Sequence, residues 1–236
     1  MDHDPKEAAD STSIRTTASP ATRASETSDR INAFFRNDLQ GMVLQFLKEP
    51  LSGTYSLFEQ RSPNAYFQSV VLTGTTAALY ILLPFLFWGR AFRNAIELAD
   101  LAKFAVFPVL FIVATSLCSL GIKSISGRSD FKTELFTGAL NAFPLSFGML
   151  LLSLFVMFGG PGISNVGDLL NNMSAIMRSA MIYLVVLVYL ILMMINILQQ
   201  SLKASGTKDA LAYYISPAGV LFSWYVTFNV WTEFVA

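Results

Sequence analysis

Histidine, cysteine and charge are all scarce in this chain. The one histidine, His3, lies in a polar stretch near the N-terminus. That removes histidine-based proton transfer and most zinc chemistry. The one cysteine, Cys118, sits in an apolar run, so neither an intrachain disulfide nor a cysteine metal site can form. Only 14% of the 236 residues are charged, against ~25% in a soluble domain. Net charge is zero, and phosphate neutralisation needs a basic surface, so nucleic acid is not expected as a partner. No glycine-rich phosphate cradle is present. Gly159-Gly160-Pro161-Gly162 has no lysine after it and reads as a turn. No cofactor is expected. A signal peptide is not expected either, because the first long apolar run starts near residue 67.

What is abundant is apolar surface: 53% of residues are hydrophobic, and 20 are phenylalanine. The apolar residues gather in five runs, expected as spans over 67–88, 101–122, 135–158, 176–198 and 211–234. Each is about 20 residues or slightly longer, enough for the ~30 Å hydrocarbon core at ~1.5 Å per residue. The expected fold class is therefore all-α, a polytopic bundle of five transmembrane helices with an N-terminal amphipathic helical segment. Three regions follow: a disordered polar tail over 1–30, amphipathic or interfacial helices over 31–62, and the five-helix domain over 63–236.

The tail is rich in Ser, Thr, Ala and charge, and cannot bury enough apolar surface to offset chain entropy. Over 31–60 the apolar residues recur in steps of three and four: Ile31, Phe34, Phe35, Leu39, Met42, Val43, Phe46 and Leu47. That is the stripe of an amphipathic helix. Pro50 ends it and opens a second helix. Phe34, Phe35, Phe46 and Leu47 are the candidate contacts to lipid or a partner.

The loops are short, so basic residues set orientation. With the N-terminus inside, the inner side holds seven: Lys48, Arg61, Lys123, Arg128, Lys132, Lys203 and Lys208. The outer side holds four: Arg90, Arg93, Lys103 and Arg178. The bias puts the N-terminus in the cytoplasm and the C-terminus outside. In this reading Lys123, Arg128 and Lys132 face anionic headgroups.

No ionisable residue falls in the central part of any expected span. Glu134 and Glu233 lie at span ends, where water or headgroups solvate them. This argues against proton-coupled transport and acid–base catalysis, which need such groups in the membrane. Serines lack a base to activate them. The chain is therefore expected not to be an enzyme. A polar cleft uniting Glu97, Asp100, Glu134 and Asp168 would revive that possibility.

Neutral polar groups do enter the spans, among them Thr73, Thr75, Thr76, Asn141, Ser146, Asn196 and Asn229. Small residues pair four apart at Gly74 with Ala78 and at Gly138 with Ala142. Both features suit close helix packing with interhelical hydrogen bonds. Prolines 84, 108, 144 and 217 fall in four of the five spans and invite kinks outside first turns.

The stretch Gly127, Asp130-Phe131-Lys132 and then Pro144 resembles the Yip family of five-span membrane proteins in its bacterial branch. Phe46-Leu47-Lys48-Glu49-Pro50-Leu51, with Phe58 downstream, is similar to the segment before that family's first span. Two departures stand out. Asp38-Leu39-Gln40-Gly41-Met42 lacks the aromatic and proline of the eukaryotic motif, and Asn141-Ala142-Phe143 replaces a Gly-Tyr pair. The eukaryotic role in binding Rab GTPases therefore does not carry over. The resemblance implies a non-enzymatic membrane scaffold or adaptor, in a bacterial inner membrane or else a eukaryotic endomembrane. Expected partners are the lipid bilayer, other membrane proteins or a second copy. The alternative is a transporter or channel subunit for a neutral or apolar solute, its path lined by Thr76, Asn141, Asn196 or Asn229.

Overall fold

A computed structural model describes residues 28–49, 52–59, 64–88, 98–125, 130–159 and 173–235. The chain divides into two compact units, Met1–Leu39 and Gln40–Ala236. In the first unit, residues 28–33 are helical and Phe34–Asp38 form a π-helical turn. The rings of Phe34 and Phe35 meet edge to face at 5.7 Å. Residues 1–27 of the expected polar tail lie outside the described residues, while 28–30 are already helical.

Helices α1 (Leu39–Lys48) and α2 (Ser52–Glu59) follow. Gln45 Nε2 donates to Ser56 Oγ across the corner between them. The Gly53 N–H donates to Glu49 O at 2.8 Å. A Cβ on Gly53 would lie 2.6 Å from Gln45 O, so only glycine lets the two helices come this close. Pro50 itself lies outside the described residues. Helix α2 packs on the bundle, with Phe58 edge to face against Phe136 at 5.9 Å.

The bundle is built from α3 (Ala65–Phe87), α4 (Leu98–Ser124), α5 (Phe131–Leu140), α6 (Ala142–Gly159), α7 (Met173–Ala204) and α8 (Asp209–Val235). Helix α4 is central and packs against α3, α5 and α8. Helix α7 closes the bundle against α8, α6 and α2. Phe111 and Ile112 of α4, Leu140 of α5, Ile197 and Leu198 of α7 and Val220 of α8 are fully buried where these helices meet. Among the described residues every regular element is helical.

Four segments are long and apolar enough to cross a membrane: Ala65–Phe87, Asp100–Ser124, Phe131–Met157 and Met181–Ala204. At 23 to 27 residues each, they exceed the ~30 Å core at ~1.5 Å per residue. Their outer faces carry large apolar side chains such as Leu86 on α3 and Ile182, Val185 and Leu192 on α7. A chain of this kind is compatible with an integral membrane protein. The fifth run forms the 27-residue helix α8. Its apolar character is diluted by Tyr213, Tyr214, Ser216, Ser223, Trp224, Tyr225 and Asn229.

The third run departs from expectation in an informative way. It is two helices, α5 and α6, meeting at Asn141. Pro144 has no N–H to offer the carbonyl four residues back, so a continuous helix cannot pass it with its bonds intact. The chain breaks one turn earlier, and Pro144 falls in the first turn of α6, where no such bond is needed. The Asn141 side chain repairs the end of α5: its Nδ2 donates to Thr137 O and Gly138 O, each at 3.2 Å. Proline 84, 108 and 217 lie inside α3, α4 and α8.

Seven hydroxyls in the helices serve their own helix. Ser69, Thr73, Thr75, Thr76, Ser116, Ser216 and Ser223 each donate to the carbonyl four residues back, at 2.6–2.9 Å. That satisfies the group without a partner helix, as a lipid setting requires. Among the polar groups expected to bond between helices, Ser146 Oγ donates to Thr76 Oγ1 at 3.3 Å.

Helix α7 ends in a glycine cap. Gly206 has φ +83°. Its N–H donates to Lys203 O at 2.9 Å, and the Thr207 N–H reaches back to Leu202 O at 3.1 Å. This is the Schellman arrangement, which needs a left-handed residue and selects glycine. It turns the chain within four residues into α8.

Candidate functional site

Two features stand out inside the bundle, one near each end. The first is a buried ion pair. Lys123 lies in the last turn of α4 and Glu134 in the first turn of α5. Lys123 Nζ is 2.8 Å from Glu134 Oε2, and the side chains are 3% and 1% exposed. Both were expected outside the apolar interior, Lys123 at the headgroups and Glu134 in interfacial water. The structure corrects both expectations. Helix α4 runs two residues past the expected end of its span, and α5 begins four residues before the expected start of its own. The extra turns carry the charges inward, onto each other.

Hydroxyls from three helices complete the pair. Ser119 Oγ, one turn before Lys123 on the same face of α4, donates to Glu134 Oε2 at 2.6 Å. Lys123 Nζ donates to Ser201 Oγ of α7 at 2.7 Å. Ser201 and Thr137 hydroxyls are 2.7 Å apart. Thr137 Oγ1 donates to Glu134 Oε2 at 3.4 Å. Those donations fix the direction: Lys123 to Ser201, Ser201 to Thr137, Thr137 to Glu134, with Lys123 to Glu134 closing the ring.

Burying two charges costs several kcal/mol per ion, offset only when the geometry is good and the remaining groups are bonded. Here the charges are 2.8 Å apart, and two hydroxyls besides the ammonium converge on Glu134 Oε2. The chemical consequence is restrictive. A serine–lysine pair can act as nucleophile and base only if the amine accepts a proton. Lys123 instead donates to Ser201 and to a carboxylate together.

Gly138, one residue past Thr137, makes the approach possible. A Cβ there would collide with Ser116 Oγ and Ile112 O of α4. Gly138 thus lies against α4, and Ala142 is buried as well. Gly74 and Ala78 are exposed instead, and a Cβ on Gly74 would meet nothing within 4 Å. Among the described residues this exposed pair does not sit in a helix seam as the Gly138 position does.

The second feature is a cavity of about 340 Å³. Its wall combines the end of α3, the first part of α4, much of α6, the middle of α7 and the second half of α8. Trp88, Trp224 and Trp231, which are all the tryptophans of the chain, line it together with Phe104, Phe107 and Met149. The rings brace one another: Phe107 contacts Trp224 and Trp231, each at 5.7 Å, and Phe104 contacts Trp88 at 6.3 Å. Trp231 Nε1 donates to Lys103 O at 3.3 Å, and Tyr80 Oη donates to Leu145 O at 3.4 Å. Tyr183 Oη and Trp224 Nε1 are buried without a hydrogen-bond partner among the described residues, at a cost of ~1–3 kcal/mol each.

Of the other residues singled out in the sequence, Phe34 is buried and Phe35 exposed, while the side chains of Phe46 and Leu47 lie outside the described residues. Pro144 lines the cavity. Asn196 Oδ1 accepts from Gln200 Nε2 at 3.2 Å, and exposed Asn229 donates to Tyr225 O at 2.8 Å. Thr76, Asn141, Asn196 and Asn229 are thus not gathered around a common path, and the cavity wall includes none of them. Asp100 pairs with Lys103 at 3.4 Å on the surface, away from Glu134 and its lysine. Glu97 and Asp168 lie outside the described residues. Among the described residues no three His, Cys, Asp or Glu side chains come together to hold a metal ion.

Sequence reasoning missed the ion pair and the cavity. A signal for the first was present: Ser119 and Lys123 are four apart, Glu134 and Thr137 three apart, and both pairs flank one short connection. The cavity has no local signal, because five helices contribute to it. Compared with known proteins, the chain matches no family model, no curated protein and no solved structure. The resemblance to the Yip family rests on the residues quoted for it alone.

Proposed function

We propose that this chain is a five-span integral membrane protein that works without catalysis, as a Yip-type scaffold or adaptor binding membrane partners or lipid. The N-terminus lies in the cytoplasm of a bacterial cell, and α8 is the fifth span. The amphipathic stretch over 31–60 supplies the contact surface at the membrane. The observation that supports this best is the closed ring around Lys123 and Glu134. Its ionisable groups are spent on each other and on hydroxyls, which joins α4, α5 and α7 and suits a clamp better than a reaction centre. Removing Lys123 from the inner charge count leaves six basic residues against four, so the orientation argument keeps its sign.

The transporter reading keeps one point in its favour, the cavity. Its wall suits an apolar solute and offers a polar one little. Pull-down of the intact protein from gently solubilised membranes tests the adaptor reading. Specific co-purifying membrane proteins, lost when 31–60 is deleted, are the expected result. Recovery of the chain alone, with the deletion changing neither partners nor membrane behaviour, ends it.

A further inference from the structure

We infer that the aromatic cavity is a binding site for one hydrocarbon tail of a membrane lipid. The inference rests on the membrane-embedded reading above and is independent of the adaptor role. Three observations carry it. The wall is carbon: rings of Trp88, Trp224, Trp231 and Phe107, with aliphatic groups of Leu145 and Met149. Of the polar atoms on the lining side chains, Trp231 Nε1 serves Lys103 O and Tyr80 Oη serves Leu145 O, while Trp224 Nε1 and Tyr183 Oη are themselves buried, without a partner among the described residues. The volume, about 340 Å³, falls at the small end of the roughly 300–1,000 Å³ range of ligand pockets.

Water does not suit such a space, because a buried water needs two to four polar partners. The packing cost of a carbon-lined space grows with its volume, so an occupant that fills it with carbon stabilises the bundle. Helices with lipid-facing apolar sides meet one apolar molecule in vast excess, the lipid tail. The site runs from the middle of α7 toward the end of the bundle where α3 finishes and α4 begins. Trp88 and Trp231 sit there at the depth of an interfacial aromatic belt. A tail can thus enter the bundle while its headgroup stays at the surface. The same tail chemistry belongs to phospholipids and to free fatty acids.

All three tryptophans line the cavity, so intrinsic fluorescence reads it directly. The full chain is reconstituted in phosphatidylcholine vesicles and titrated in one arm with phosphatidylcholine brominated mid-chain, in the other with a brominated fatty acid. A saturable loss of fluorescence at low mole fraction is expected, reversed by unbrominated lipid. The arm in which it appears identifies the source. Val186→Phe adds a ring to the wall and should remove the saturable part, whereas Val186→Ala should keep it. Quenching that only rises in proportion to mole fraction in both arms overturns the inference. So does a saturable part that survives in Val186→Phe with helicity unchanged. Should Val186→Phe lose helicity, saturation and reversal in the natural chain decide alone. Carbonate extraction of the natural chain checks embedding separately. Release from the membrane there would be a failure of the membrane reading and not of the cavity.

Discussion

Lys123 Nζ and Glu134 Oε2 stand 2.8 Å apart in the interior, on helices that the sequence separates by only a short connection. Neither charge has water to fall back on, so each depends on the other. Removing one leaves a buried, unpaired ion.

Glu134→Gln and Lys123→Met should therefore each lower stability by about 3–5 kcal/mol. The double replacement Lys123→Met with Glu134→Leu should recover most of the loss, since packed apolar groups often match a buried ion pair. Thermal unfolding of the purified chain in detergent, followed by circular dichroism, reads all three. Additive losses in the double variant would contradict the pairing.

Gly138 and Gly74 are both helical glycines, but they should respond oppositely to alanine. At Gly138 the methyl group meets α4 backbone and Ser116, so Gly138→Ala should cost about 1–3 kcal/mol through overpacking. At Gly74 the space is open, and alanine's helix propensity should add up to ~1 kcal/mol. Paired melting curves compare the two.

Gly206→Ala should lower the melting temperature although a methyl group there touches nothing. The cost is conformational: φ +83° is left-handed, worth about 1–2 kcal/mol for a residue with a Cβ. Gly206→Asn should lose less, because asparagine tolerates that region better.

Asn141→Ala removes the side-chain amide that serves Thr137 O and Gly138 O. Gly138 O keeps the backbone N–H of residue 141 at 3.0 Å, but Thr137 O loses its side-chain donor, which should cost about 1–3 kcal/mol. Pro144→Ala should be milder, because the first turn of α6 does not need the missing N–H bond. Equal losses in the two variants would mean that the proline holds the joint as much as the asparagine does.

Cysteines placed one at a time in a Cys118→Ala background read the topology. Asp130→Cys and Thr207→Cys flank the ends of α4, α5, α7 and α8 that share the ion-pair side. They should react with a membrane-impermeant maleimide from the same face. Asp100→Cys, at the start of α4, should react from the opposite one. In inverted inner-membrane vesicles the first two should label and the third should not.

Much of the helical layout was readable from the residues, for a simple reason. Long apolar runs such as 176–198 have no stable alternative to a helix in or against an apolar medium. The details that matter most were hidden at the ends of those runs. Extending α4 from 122 to 124 and starting α5 at 131 are small shifts, yet they convert Lys123 and Glu134 from surface groups into interior ones. Hydropathy marks where carbon stops being dense. It does not mark where backbone bonds stop, and a charged residue that finds a partner extends the helix past that point. Asn141 illustrates the same gap: its role depends on Pro144 three residues later and on carbonyls three and four residues earlier. The cavity depends on side chains as distant in sequence as Tyr80 and Trp231, which meet only after α3 and α8 have docked on α4.

The joint at Asn141 also separates two kinds of sensitivity. On one side, the ten-residue α5 is tied to α4 and α7 by charge and hydroxyls. On the other, the eighteen-residue α6 borders the cavity through Pro144, Leu145, Gly148 and Met149. No uninterrupted ladder of backbone bonds carries force from one half to the other. A bilayer that thins or thickens around α6 can therefore change its tilt while the anchored half keeps its place. Such a span resembles a hinged leaf on a fixed post.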